Sequence, residues 1–226
     1  MQVPIQQCGG ARSIGIRLLV PFCAVLHALS CAAQTSFNSG LQIDFREEYI
    51  YVSGKIIPGD GAKFAQKLDK ANVQCQVIRL NSGGGSGVDA VQIGTYIRNH
   101  HMTTWTDGLQ DKCASACNRI FAGGLNRIYS NAEFIQTGKI AKIKGTVLHG
   151  LGYHHPNING DFAEAAQHYQ MNILPFLKAM LPPKAFDWVK STDQSNLTYD
   201  MIWLNGDKAL ELGISTSDQA PAGCLP

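Results

Sequence analysis

The chain has 226 residues, 19 basic against 17 acidic side chains, and a formal charge of +2. Hydrophobic residues make up 45% of it, enough to bury a core. No basic run and no interleaving of aromatic with basic residues is present, which excludes nucleic acid as the expected partner.

Residues 1–33 read as a secretory leader. Arg12 and Arg17 precede an apolar run from Leu18 to Leu29, and Ser30-Cys31-Ala32-Ala33 follow. The run is short for a membrane span, and Pro21 interrupts it. Cleavage between Ser30 and Gln34 is the expectation, giving an exported protein of the bacterial periplasm. A lipidated Cys31 or an uncleaved anchor are the alternatives, and the N-terminal segment is the only expected route to a membrane. Residues 34–42 are a polar linker, and 43–226 form one domain. Loss of the leader removes Arg12 and Arg17, leaving 17 basic residues against 17 acidic.

Ile43 to Gly54 alternates as a strand. Pro58-Gly59-Asp60-Gly61 is a turn, and Ala62 to Lys70 has helical spacing at Phe64, Ala65 and Leu68. Gln76 to Leu80 is a short buried strand ended by the glycine run Gly83-Gly84-Gly85. Val88 to His100 is a helix, with His100 and His101 complementing its dipole. Met102 to Trp105 is a strand, Ser115 to Ala122 a helix, Arg127 to Tyr129 a strand edge, and Val147 to His154 a strand. Asp161 to Met180 is helical, broken or restarted at Pro175. Ala185 to Lys190 is a turn or helix, Met201 to Leu204 a strand, and Lys208 to Leu212 a helix stopped by Gly213. Strands alternating with helices give an α/β fold.

Four cysteines remain after the leader: Cys75, Cys113, Cys117 and Cys224. An even count in an exported chain points to disulfides. Three pairings exist; Cys113 with Cys117 and Cys75 with Cys224 is the preferred one, and buried free thiols are the alternative. The lone C-x-x-x-C spacing does not make a metal site, and neither a metal nor a cofactor is expected. Asn196-Leu197-Thr198 fits a glycosylation sequon that carries no weight.

Two segments carry the chemistry. Asn81-Ser82-Gly83-Gly84-Gly85-Ser86 leaves a buried strand as bare backbone. Cys113-Ala114-Ser115-Ala116-Cys117 places a serine among small residues at a helix start. Together they can supply N–H donors for an oxyanion beside a nucleophile. A phosphate loop is a poor match, since no G-x-x-x-x-G-K-[ST] pattern occurs. By residue type alone, Ser115 is as well suited to capping a helix.

The order of these segments resembles the Clp protease proteolytic subunit and its crotonase-fold superfamily, nearest to its small exported members. There a strand ends in Asn-Ser-Pro-Gly-Gly. A serine follows at a helix start, then a His-x-Pro segment, then an acid ahead of Ala-x-x-x-Gly-(Leu/Ile). Here those are Asn81 to Gly85, Ser115, His154-His155-Pro156, and Asp200 ahead of Ala209 to Ile214. The resemblance spans about residues 43 to 215. It implies repeated β-β-α units around a mostly parallel sheet, and peptide-bond hydrolysis without ATP. In that reading Ser115 is the nucleophile, His154 the base and Asp200 its orienter. Gly85 and Ala116 are the oxyanion donors, and Gly83, Gly84 and Ser86 line the substrate. His149 and His155 compete with His154, Asp187 and Asp193 with Asp200, and Lys139, Lys142 or Lys144 could serve a Ser-Lys dyad. The sequence departs from the pattern in three places. Gly83 replaces a proline, an insertion falls around Thr137 to Gly145, and one extra residue separates Asp200 from Ala209. A peptide or protein is the implied substrate and a homo-oligomer the implied assembly. The rival reading is an inactive Clp-like module that binds peptide or a partner protein.

Overall fold

A computed structural model describes residues 40–71, 75–140, 148–156, 162–195 and 200–223. The leader, most of the linker, Cys224, Lys142, Lys144 and the sequon lie outside the described residues.

The first expected strand is a hairpin: β1 (Gln42–Phe45) turns back at Arg46 to pair antiparallel with β2 (Ile50–Ser53). The turn falls on three consecutive charged residues, Arg46, Glu47 and Glu48, which interrupt the alternation. Helix α1 (Asp60–Ala71) leads to β3 (Val77–Asn81), α2 (Gly87–Asn99) and β4 (Thr103–Asp107). Then come β5 (Lys112–Ala114), α3 (Cys117–Gly123) and β6 (Arg127–Ser130). Strands β1-β2-β3-β4-β6 form one sheet in that order, parallel from β2 to β6.

Register explains the division of residues between the two faces. Ile50, Ile78 and Thr104 lie side by side on one face. Thr104 donates its hydroxyl to Phe121 O of α3, so this is the helix-covered face. Tyr51, Arg79 and Trp105 align on the other, with the Arg79 guanidinium 4.4 Å from the Trp105 ring centre. The core gathers Ile50, Ile78, Leu80, Phe64, Ile93, Ile97 and Ile120, all fully buried.

A second, smaller sheet has the order β5-β8-β9-β7. Its members are β5, β7 (Gly138–Lys139), β8 (Gly150–Tyr153) and β9 (Ile202–Leu204). Neither β5 nor β7 is predicted from sequence, since two or three residues show no periodicity. The helical stretch ahead of β9 splits into α4 (Phe162–His168), a π segment (Tyr169–Ile173), α5 (Leu174–Met180) and α6 (Pro183–Ser195). Pro175 sits in the first turn of α5. A proline lacks the N–H of that turn and crowds the carbonyl four residues back, and the wider π turn accommodates both. Helix α7 (Gly206–Leu212) ends at Gly213 in the left-handed region.

Candidate active site

Strand β3 delivers the glycine run and β5 delivers the serine, and hydrogen bonds join the two. Ser82 N donates to Lys112 O at 2.6 Å, and Ala114 N donates to Ser82 O at 3.0 Å. The Asn81 side chain accepts from Lys112 N at 3.0 Å. Two motifs thirty residues apart are thereby held edge to edge.

Ser115 does not cap a helix. Its φ is +56°, a left-handed conformation that a non-glycine residue rarely takes, while Ala116 stands at the N-cap of α3 with no side-chain bond. The serine occupies a sharp strand-to-helix turn. Ala114 and Ala116 are buried beside it, and the Cys113–Cys117 disulfide closes the turn with Cα atoms 5.1 Å apart. Cys75 is also disulfide-bonded; Cys224, its expected partner, lies outside the described residues.

His154 follows directly after β8. That strand runs parallel to β5, with Ala114 opposite Gly152. Ser115 N donates to Gly152 O at 2.9 Å, and Asn118 Nδ2 donates to the same oxygen at 3.0 Å. This register brings His154 Nε2 within 2.7 Å of Ser115 Oγ. The imidazole is held below its ordinary pKa, first by burial and then by the Arg119 cation. It is therefore neutral and able to accept a proton at neutral pH.

The glycine run meets the serine closely. Gly84 has φ +97°, and a Cβ there would lie 2.8 Å from Ser115 Cβ. Ile56 N donates to Gly84 O and Ser86 N donates to Ile56 O. In such a parallel bridge the intervening Gly85 turns its own N–H to the opposite side. Among the described residues no acceptor takes the N–H of Gly85 or of Ala116. A shallow groove lined by Gly54, Lys55, Asn81, Gly83, Gly84 and Gly85 runs along this edge. Ser86, expected to line substrate, turns its side chain into α2 instead and caps it: its hydroxyl bonds the Asp89 carboxylate and accepts from Asp89 N at 3.3 Å.

Asp200 is not brought to His154. Antiparallel pairing of β9 with β7 sets Ile202 opposite Lys139, and Asp200 lies 3.6 Å from the Lys139 ammonium with 55% of its side chain exposed. His154 Nδ1 is buried without a hydrogen-bond partner among the described residues. Lys139 is likewise engaged with Asp200 rather than with the serine. His149 lines a different pocket, beside Leu109, Phe134 and Ile135. His155 is buried, its Nδ1 bonded to Pro156 O at 2.6 Å. Asp187 lies on α6 along an open surface groove with Lys190 and Gln194.

Asp193, also on α6, is wholly buried and meets Arg119 in an ion pair at 2.8 Å. Burial pushes its carboxyl pKa up, and Arg119 and the Tyr169 hydroxyl pull it back. Sequence reasoning missed Arg119. The one available signal was a charged residue within the otherwise apolar Ile120-Phe121-Ala122 helix.

No family model and no curated protein matches the chain. Solved structures do. The ClpP protease catalytic domain from Plasmodium falciparum is similar at 16% identity over 79% of this chain and 87% of its own, with a TM-score of 0.52. A ClpP1 mutant from Listeria monocytogenes is similar at 16% identity over 78% of this chain and 93% of its own, with a TM-score of 0.51. At such identity the likeness is one of architecture, and the chain has the Clp protease fold.

Proposed function

We propose that the protein is an exported serine peptidase that works without ATP, metal or cofactor. The observation that carries this is the 2.7 Å approach of His154 Nε2 to Ser115 Oγ on a left-handed turn. Ser115 attacks the scissile carbonyl and His154 takes its proton. The oxyanion is received by the N–H groups of Gly85 and Ala116. His154 then gives the proton to the leaving amine, and a water activated by the same imidazole frees the acyl group. Gly83 and Gly84 border the groove in which a peptide would lie. Disulfides at Cys113–Cys117 and at Cys75 support an oxidising compartment. The fold supports a peptide or protein as substrate, and a homo-oligomer rests on resemblance alone.

Fluorophosphonate labelling of the oxidised protein, with the site mapped by mass spectrometry, tests this. Label is expected at Ser115 and should vanish in Ser115→Ala. Label that survives that substitution refutes the assignment. A second reading, an inactive peptide-binding module, draws on His154 Nδ1, which has no hydrogen-bond partner among the described residues. Absence of label in folded protein favours it.

A further inference from the structure

Arg119 stands four residues past Ser115 on α3 and is 4% exposed. Its guanidinium is shared among three acceptors. Nη1 donates to Ser115 O at 3.0 Å and to the Asn118 side-chain oxygen. Nη2 donates to Asp193 Oδ2 at 2.8 Å, and the Tyr169 hydroxyl donates to that same oxygen at 2.9 Å. A charge pair so deeply buried is a weak source of stability, because desolvation offsets most of the attraction. Its place under the nucleophile suggests another role.

The peptide unit between Ser115 and Ala116 is a rigid plane, with C=O and N–H pointing opposite ways. Whatever holds the carbonyl aims the N–H. Two donors hold Ser115 O: Arg119 Nη1, and Asn118 N at 3.1 Å. On the other side, Ala116 N lies 2.9 Å from where a Gly84 side chain would begin. We infer that Arg119, anchored by Asp193, is a positioning residue of the oxyanion site, fixing and polarising the Ser115–Ala116 peptide so that the Ala116 N–H is aimed before substrate arrives. The inference rests on the reading of Ser115 as the nucleophile. Preorganised donors stabilise a developing oxyanion most, because they need no reorientation during reaction. A cation on the carbonyl also draws electron density from the N–H and strengthens it as a donor. Burial first, and then the Arg119 charge, hold the His154 imidazole below its ordinary pKa, so it is neutral at rest.

Two variants test the role through the rate of fluorophosphonate reaction at saturating probe, measured against pH. Arg119→Lys keeps a charge but loses the fork that reaches Ser115 O and Asp193 together. The double variant Arg119→Gln/Asp193→Asn leaves no unpaired buried charge. Each should slow the reaction roughly tenfold or more, short of the full loss of an oxyanion donor, with half-saturation by the probe unchanged. The double variant should also move the acid limb of the profile to higher pH, and Arg119→Lys should not. That shift reads the loss of the Arg119 charge near the imidazole; the slower reaction at unchanged half-saturation is the result that a purely structural role does not predict. If either variant folds with the Cys113–Cys117 disulfide formed and reacts at the wild-type rate, the inference falls, and if one fails to fold the other decides. A wild-type protein that does not label at Ser115 removes the nucleophile reading itself, and this inference with it.

Discussion

Gly83 and Gly84 are adjacent, yet the structure assigns them opposite tolerance to a methyl group. At Gly84 a Cβ would sit 2.7 Å from Ala114 O, 2.8 Å from Ser115 Cβ and 2.9 Å from Ala116 N, on a backbone at φ +97°. Backbone strain at such a φ costs roughly 1–3 kcal/mol. Overpacking against main-chain atoms adds roughly 1–3 kcal/mol more. Gly84→Ala should therefore destabilise by about 2–6 kcal/mol, a large share of a domain's usual reserve of about 5–15 kcal/mol. It should also displace the serine turn and abolish labelling. A Cβ at Gly83 meets nothing within 4 Å. Gly83→Ala should leave stability unchanged or raise it by up to about 1 kcal/mol, through the lower entropy of the unfolded chain. Urea unfolding monitored by tryptophan fluorescence gives both values, and fluorophosphonate labelling gives the second readout. Variants lying within about 0.5 kcal/mol of each other, the scatter of an innocuous substitution, would refute the close approach of Gly84 to Ser115.

Three further outcomes are expected. Opening the Cys113–Cys117 bridge by the double change Cys113→Ser/Cys117→Ser, which leaves the Cys75 disulfide in place, should cost about 2 kcal/mol from the entropy of so short a loop. It should also slow labelling of the enclosed serine; stability and labelling equal to wild type would contradict this. His154 is held below its ordinary pKa by burial and then by Arg119, so the labelling rate should keep its plateau below pH of about 6.5, the free imidazole value. In the same way the unfolded chain binds the extra proton first, so the His154 contribution to stability is present above pH of about 6.5 and is lost as pH falls from there through the lowered folded-state value; a rate midpoint at or above pH of about 6.5 speaks against the buried geometry. Finally, the Tyr129 hydroxyl donates to Leu204 O at 2.9 Å and accepts from Leu151 N at 3.0 Å, tying β8 to β9. Tyr129→Phe leaves two buried backbone groups short of a partner and should cost about 1–3 kcal/mol in thermal or urea unfolding; no loss would show that the bridge is not felt.

What could be read in advance was whatever the chain encodes locally. The glycine run, the stop of α7 at Gly213 and the small residues around Ser115 depend on turn and capping chemistry within a few positions. So does the Cys113–Cys117 pair. Strands β5 and β7 were not legible because their pairing, not their composition, makes them strands. The Arg119–Asp193 pair joins residues 74 apart, a distance over which no periodic pattern operates. Asp200 was named from a motif offset. The antiparallel register of β7 and β9 sends it to Lys139. Ser115 was expected as the first residue of a helix. The structure places it two residues ahead of α3, where the backbone reverses.

The parallel ladder of β5 on β8 has a consequence for how such chains can change. Ser115 and His154 are 39 residues apart in sequence, but their separation in space is set by three rungs, Lys112 to Gly150, Cys113 to Leu151 and Ala114 to Gly152. The ladder acts as a ruler laid across the gap. Segments can lengthen or shorten between β6 and β8 without moving the base, because loop length adds little free energy and no displacement once the rungs are engaged. A slip of a single rung, by contrast, would turn His154 to the other face of the strand. Length between nucleophile and base is thus a free variable, and register the constrained one.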